Sequence, residues 1–121
     1  MRVMVIVKAD KNSEAGIQPT QETREMCAAM GKFNEELVKA GVMLAGEGLQ
    51  PSSKGKRVKF SGQQRTVTDG PFTEAKELVG GFALIQAKSK EDAIEHAKAF
   101  MNVAGDGEVE LRQVHDHSPM P

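Results

Sequence analysis

The polar residues best spaced for chemistry lie in two glycine-bearing stretches. Gly46-Glu47-Gly48 sets one carboxylate between two residues without side chains, and Asp69-Gly70-Pro71-Phe72-Thr73-Glu74-Ala75-Lys76-Glu77 is the densest polar run between two apolar segments. Asp69, Glu74 and Lys76 are the candidate catalytic groups. A half-buried carboxylate beside a lysine can hold a shifted pKa and serve as general acid or base. Asp69 has a second reading, because an Asp ahead of Gly-Pro can bond its own loop backbone. Glu74 and Lys76 are two residues apart, so on a helix they do not face each other and each needs a partner elsewhere. Glu47, Gly48, Gly70, Phe72 and Arg112 are the candidate ligand-binding residues. Glycines let a backbone approach closely, either to a ligand or in a bulge. Arg112, on the outward face of a late strand, can grip a carboxylate or phosphate bidentately, or can join a cross-strand ion pair.

The histidines all come late: His96, His115 and His117. His96 lies beside the apolar stripe of a helix and reads as a boundary residue. His115 and His117 in an extended strand would point to one side and bind a divalent metal if a third ligand joined them, a metal-binding or monooxygenase-like role being the third reading; no metal is assigned and no cofactor is expected. The lone Cys27 excludes an intramolecular disulfide and reads as a small residue in a helical pattern. Phosphate-binding glycine loops, Cys/His zinc spacing, a Gly-x-Ser-x-Gly elbow and a basic–aromatic patch are all missing from the sequence.

The elements that position these residues follow from periodicity. Val3 to Val7 is apolar on both faces and predicts a central strand. Asp10 to Ile17 is polar and reads as a loop. From Pro19 to Ala40, Met26, Met30, Phe33 and Leu37 recur at helical steps, with Gln18 or Thr20 at the start and Gly41 as the natural stop. Val42 to Ala45 predicts a short strand running into Gly46-Glu47-Gly48. Arg57 to Phe60 and Arg65 to Thr68 predict a hairpin, with Val58 and Phe60 on one face. Phe82 to Ile85 predicts a second central strand. Ser89 caps a helix whose buried stripe is Ala93, Ile94, Ala97, Phe100 and Met101, broken by Asn102 to Gly107. Glu108 to Val114 is a last strand, with Val109 and Leu111 inward and Glu110 and Arg112 outward.

The order is βαββαβ with an inserted hairpin, a ferredoxin-like α+β sandwich. Both long helices then cover one sheet face. The other, apolar face calls for a second copy of the chain, because monomers avoid large exposed apolar patches. A chain of 121 residues is one domain's worth; residues 1–115 read as that domain and 116–121 as a frayed tail. A net charge of −1 makes no broad electrostatic case for nucleic acid or a membrane surface. No apolar run approaches a membrane span, and the chain opens directly into a strand, so a cytoplasmic protein is expected.

Asp69 to Phe72, with Glu74, Lys76, Glu77, Gly80, Gly81 and Phe82, resembles the signature of the DGPF group within the YCII-related proteins. Thr73 and Ala75 depart from that pattern by trading places. Ala45 to Pro51 and Glu108 to Arg112 resemble the family as well. The resemblance implies a dimeric α+β barrel, with a cleft between sheet and loops that binds a small polar or anionic metabolite. It also implies acid–base chemistry of the isomerase or lyase kind. The alternative is a non-catalytic regulatory or accessory protein linked to extracytoplasmic-function sigma factors. The His–Asp pair of some YCII-related proteins does not carry over, because no histidine lies in the early half.

Overall fold

The computed structural model describes residues 1–16, 20–72 and 78–115. Four strands form one antiparallel sheet: β1 (Arg2–Lys8), β2 (Met43–Gly48), β5 (Val79–Gln86) and β6 (Val109–Gln113), in the order β2-β5-β1-β6. The two strands apolar on both faces, β1 and β5, are the central pair, as their composition requires. Helix α2 (Gln21–Lys39) joins β1 to β2 and helix α3 (Lys90–Ala104) joins β5 to β6. This is the ferredoxin-like α+β arrangement. The hairpin β3 (Lys56–Ser61) and β4 (Gln64–Asp69) forms a separate two-stranded sheet turning at Gly62, where φ is +60°.

Register divides the sheet faces. Val3 pairs with Ile85 and Val5 with both Ala83 and Leu111. This set faces the helices and, with Ala87 and Ala93, forms the core. Met4, Ile6, Leu84 and Phe82 share the opposite face with Glu110 and Arg112.

Three boundaries differ from the sequence expectation. Lys11–Ala15 forms a short helix, α1, where a loop is expected. Five residues are too few to show a period, and the helix rests on a reciprocal cap. Asp10 Oδ1 accepts from Ser13 N at 2.8 Å, and Ser13 Oγ accepts from Asp10 N at 2.8 Å. Helix α3 runs through Asn102 to Ala104 and stops at Gly105, whose φ of +94° suits glycine. Strand β2 takes in Gly46-Glu47-Gly48 instead of ending before it. Gly81 permits this, because a Cβ there would lie 2.9 Å from the Glu47 carbonyl oxygen.

The capping expectations hold in detail. Thr20 caps α2, exchanging hydrogen bonds with Thr23, and Gly41 follows the helix at a φ of +75°. Gln18 and Pro19 lie outside the described residues. Ser89 Oγ accepts from Asp92 N at 3.1 Å, while the Asp92 carboxylate reaches one residue further back, to Lys88 N at 2.9 Å. Ile94, expected in the buried stripe, is 43% exposed. Among the described residues no helix is long and apolar enough to cross a membrane.

Candidate functional site

The candidate site residues fall into three places. Asp69, Gly70 and Phe72 sit at the end of the hairpin. Glu47 and Gly48 sit on the edge strand β2. Arg112 lies on β6, separated from β2 by β5 and β1. At about 4.8 Å per strand step the last separation is roughly 14 Å, so a single chain does not gather all of them around one ligand. Glu74 and Lys76 lie outside the described residues, as do His117 and the tail 116–121.

The Asp-Gly-Pro-Phe loop is clamped to the turn at Ser52. Gly70 N donates to Gly55 O at 2.9 Å, and Phe72 N donates to Ser52 Oγ at 3.2 Å. Ser52 N in turn donates to Glu14 Oε1 at 3.0 Å, and the Ser52 hydroxyl bonds the other oxygen of the same carboxylate. The hydroxyl contact, then the backbone one, holds the Glu14 carboxyl below its usual range. Gly70 could be no other residue here, because a Cβ would fall 1.7 Å from the Ser52 carbonyl oxygen. The Gly70–Pro71 peptide is cis. The Arg57 guanidinium lies 4.0 Å over the Phe72 ring. Among the described residues Asp69 makes no bond to its own loop backbone; it pairs with Lys56 Nζ at 2.5 Å, and both side chains are largely exposed. Its described cation is thus Lys56 of the hairpin, outside the stretch, and the pair is solvent-exposed rather than half-buried.

Arg112 Nε stands 3.7 Å from Glu110 Oε2 on its own strand, and Glu110 also reaches across to Lys8 Nζ at 3.3 Å. An exposed chain of this kind contributes about 0–1 kcal/mol, so it leaves Arg112 available to an anion.

A pocket of about 310 Å³ lies between the sheet and the two long helices. Its floor is Val5, Val7, Ala83 and Ile85, and its roof is Met30, Asn34 and Leu37 of α2 with His96, Ala97 and Phe100 of α3. Met43, Gly46, Glu47, Gly48, Gly80 and Gly81 form the edge at β2. Helix α2 has no fully buried residue. Glu47 and Gly48 line the edge of this pocket at β2; Glu47 does so through its backbone, since it pairs across the sheet with Phe82 and its side chain shares the opposite face.

Two polar groups lie in this roof: Asn34, which the sequence reading does not single out, and His96, which it reads as a boundary residue. Asn34 Oδ1 is shut off from solvent without a hydrogen-bond partner, a state that costs about 1–3 kcal/mol. Its signal is that it interrupts the apolar series Met30, Leu37 at the i+4 position. His96 is the second. Its Nε2 lies 3.4 Å from Asp92 Oδ1. Asp92 is fixed by the Lys88 backbone N–H, which chiefly lowers its pKa, and the nearby imidazole adds to this against a partial effect of burial. Among the described residues no three His, Cys, Asp or Glu side chains cluster to hold a metal.

The fold and its glycine-built sheet edge define an α+β protein of the ferredoxin-like kind with a pocket under its helices. The chain belongs to the YCII-related family, whose model matches residues 1–118. It is also similar to an uncharacterised protein of Rhizobium meliloti (strain 1021), 30% identical over 97 residues, which cover 79% of this chain and 75% of that one.

Proposed function

We propose that this YCII-related protein is a cytoplasmic homodimer that binds a small molecule in the pocket between sheet and helices, entered past Glu47 and Gly48. The observation that carries this reading is the pocket itself. About 310 Å³ is within the range of ligand sites, and its lining is mostly apolar with a few polar groups. Dimerisation is supported by the sheet face opposite the helices, where Met4, Ile6, Phe82 and Leu84 form an apolar centre that neither long helix covers. A second copy supplies the missing layer and completes a dimeric α+β barrel.

Two measurements test it. Sedimentation should give a dimer, and Leu84→Asp should give a monomer; a monomeric wild-type chain would remove the dimer. A thermal-shift and NMR screen of small aromatic, alicyclic, carboxylate and phosphate compounds should find a binder that perturbs Met30, Leu37 and Phe100. A ligand at about 100 times its dissociation constant stabilises the fold by roughly 2.7 kcal/mol, which such a scan resolves. Silence at all three residues across the panel would remove the pocket.

Two other readings each rest on a specific observation. Acid–base chemistry on a polar or anionic metabolite at the Asp-Gly-Pro-Phe loop, with Asp69, Glu74 and Lys76 as the reacting groups, is favoured by the exposed Asp69–Lys56 pair. Under that reading Asp69→Asn abolishes turnover without changing the oligomer. A non-catalytic accessory role, linked to an extracytoplasmic-function sigma factor, is favoured by the hairpin, whose Val58, Phe60 and Val67 are each at least 60% exposed. Under that reading Phe60→Asp abolishes partner capture and leaves small-molecule binding intact.

A further inference from the structure

The pocket under α2 also carries information about the class of its ligand; this step rests on the pocket reading above. The geometry points to a neutral, mostly apolar molecule of one or two rings that carries one hydrogen-bond donor, a hydroxyl or an amine, placed against Asn34.

Size and lining set the body of the ligand. A cavity of ~150 Å³ walled by aliphatic and aromatic side chains accepts one benzene ring, and this one holds about 310 Å³ among Val5, Met30, Leu37, Ile85 and Phe100. Charge sets what the ligand is not. No Lys or Arg is among the described lining residues. A carboxylate or phosphate would be desolvated there with no described cation to receive it.

Asn34 sets the polar group. Its Oδ1 has no partner and no access to water, while the residue lines the pocket. The terminal torsion of an asparagine is soft. Rotation about this torsion presents Oδ1 to a donor seated in the pocket, and the orphaned acceptor is satisfied on binding. An apolar ligand of the same shape leaves it orphaned. His96 also lines the pocket, with its Nε2 directed to Asp92 at 3.4 Å; its Nδ1 is a second acceptor, and the Asn34→Leu variant separates the two.

The probes are 1-naphthol and 1-methylnaphthalene, nearly equal in shape, titrated into the full-length protein by calorimetry and NMR. We expect 1-naphthol to bind about tenfold more tightly, with the Asn34 side-chain amide resonances shifting. In Asn34→Leu that preference is expected to disappear while 1-methylnaphthalene binds at least as well as before. Equal affinities for the two probes in the wild type would overturn the donor requirement while leaving the pocket standing, and that ratio needs no variant. Tighter binding of 1-naphthoate than of 1-naphthol would overturn the exclusion of anions. Failure of every probe to perturb Met30, Leu37 or Phe100 would instead remove the pocket reading beneath both.

Discussion

Helices α2 and α3 lie over the same sheet face and meet it differently. Helix α3 presents Ala93 and Ala97, which are 2% and 7% exposed. Helix α2, of 19 residues, buries none, and leaves Met26 43% and Val38 57% exposed. Both have an apolar stripe at helical spacing. What differs is side-chain size. Alanine lets a helix backbone approach the strands closely; the inward side chains of α2, Met30, Asn34 and Leu37, are larger and line the pocket together with His96, Ala97 and Phe100 of α3. Periodicity therefore tells which face of a helix turns inward; the size of the residues on that face sets how near it comes.

Substitutions on the two sides of this division should differ most in stability. Ile85 is 3% exposed within the core, so Ile85→Ala should cost about 2–5 kcal/mol in urea unfolding at fixed protein concentration. Val38→Ala on α2 should change stability by no more than about 0.5 kcal/mol. Equal losses would mean that Val38 on α2 is packed as closely as Ile85 in the core. A glycine pair sharpens the contrast between clamped and open backbone. Gly70→Ala drives a methyl into the Ser52 carbonyl and should cost at least ~2 kcal/mol, because backbone rather than a flexible side chain must move. Gly48→Ala meets nothing within 4 Å and should stay within about 0.5 kcal/mol. A tolerated Gly70→Ala would show that the clamp at Ser52 is not held in solution.

Hydrogen exchange extends the comparison to the hairpin. All residues of β3 and β4 are exposed, and an isolated two-stranded hairpin is marginal in water. Amides of β1 and β5 should exchange slowest, those of α2 faster, and those of β3 and β4 fastest unless a partner covers them. Hairpin protection equal to that of β1, and lost on dilution, would place the hairpin in an interface between copies.

The central strands, the helix starts at Thr20 and Ser89, and the inward set Val109 and Leu111 were legible because each rests on a local rule: alternation, capping or periodicity. The hairpin was legible from the alternation of its two short runs. The pocket was not. It depends on the distance between α2 and the sheet, and Asn34 looked like an ordinary polar position until its surroundings were known. Helix α1 escaped because a five-residue helix shows no period. The Asp-Gly-Pro-Phe stretch was legible as a turn, but its anchor was not, because Glu14 and Ser52 are 38 residues apart. Only the folded chain brings Ser52 to within a Cβ's radius of Gly70.

That anchor makes the smallest prediction, one of pH. The Ser52 hydroxyl and then its backbone N–H hold the Glu14 carboxyl below its ordinary value of 4.5. A carboxyl whose folded pKa is depressed binds fewer protons in the folded state than in the unfolded one. Its contribution is therefore fully present above the unfolded value and is lost as pH falls through that value toward the folded one. Glu14→Gln keeps the shape and removes the titration. Wild type should be the more stable of the two at pH 7 and at pH 6, and the gap between their urea midpoints should close progressively below about pH 4.5. The gap should be small because the carboxylate lies near the surface, where water screens it. A gap that stays constant from pH 7 to pH 3 would mean that Ser52 binds the side chain whatever its charge. The clamp on the Asp-Gly-Pro-Phe loop would then be steric, set by Gly70, rather than electrostatic.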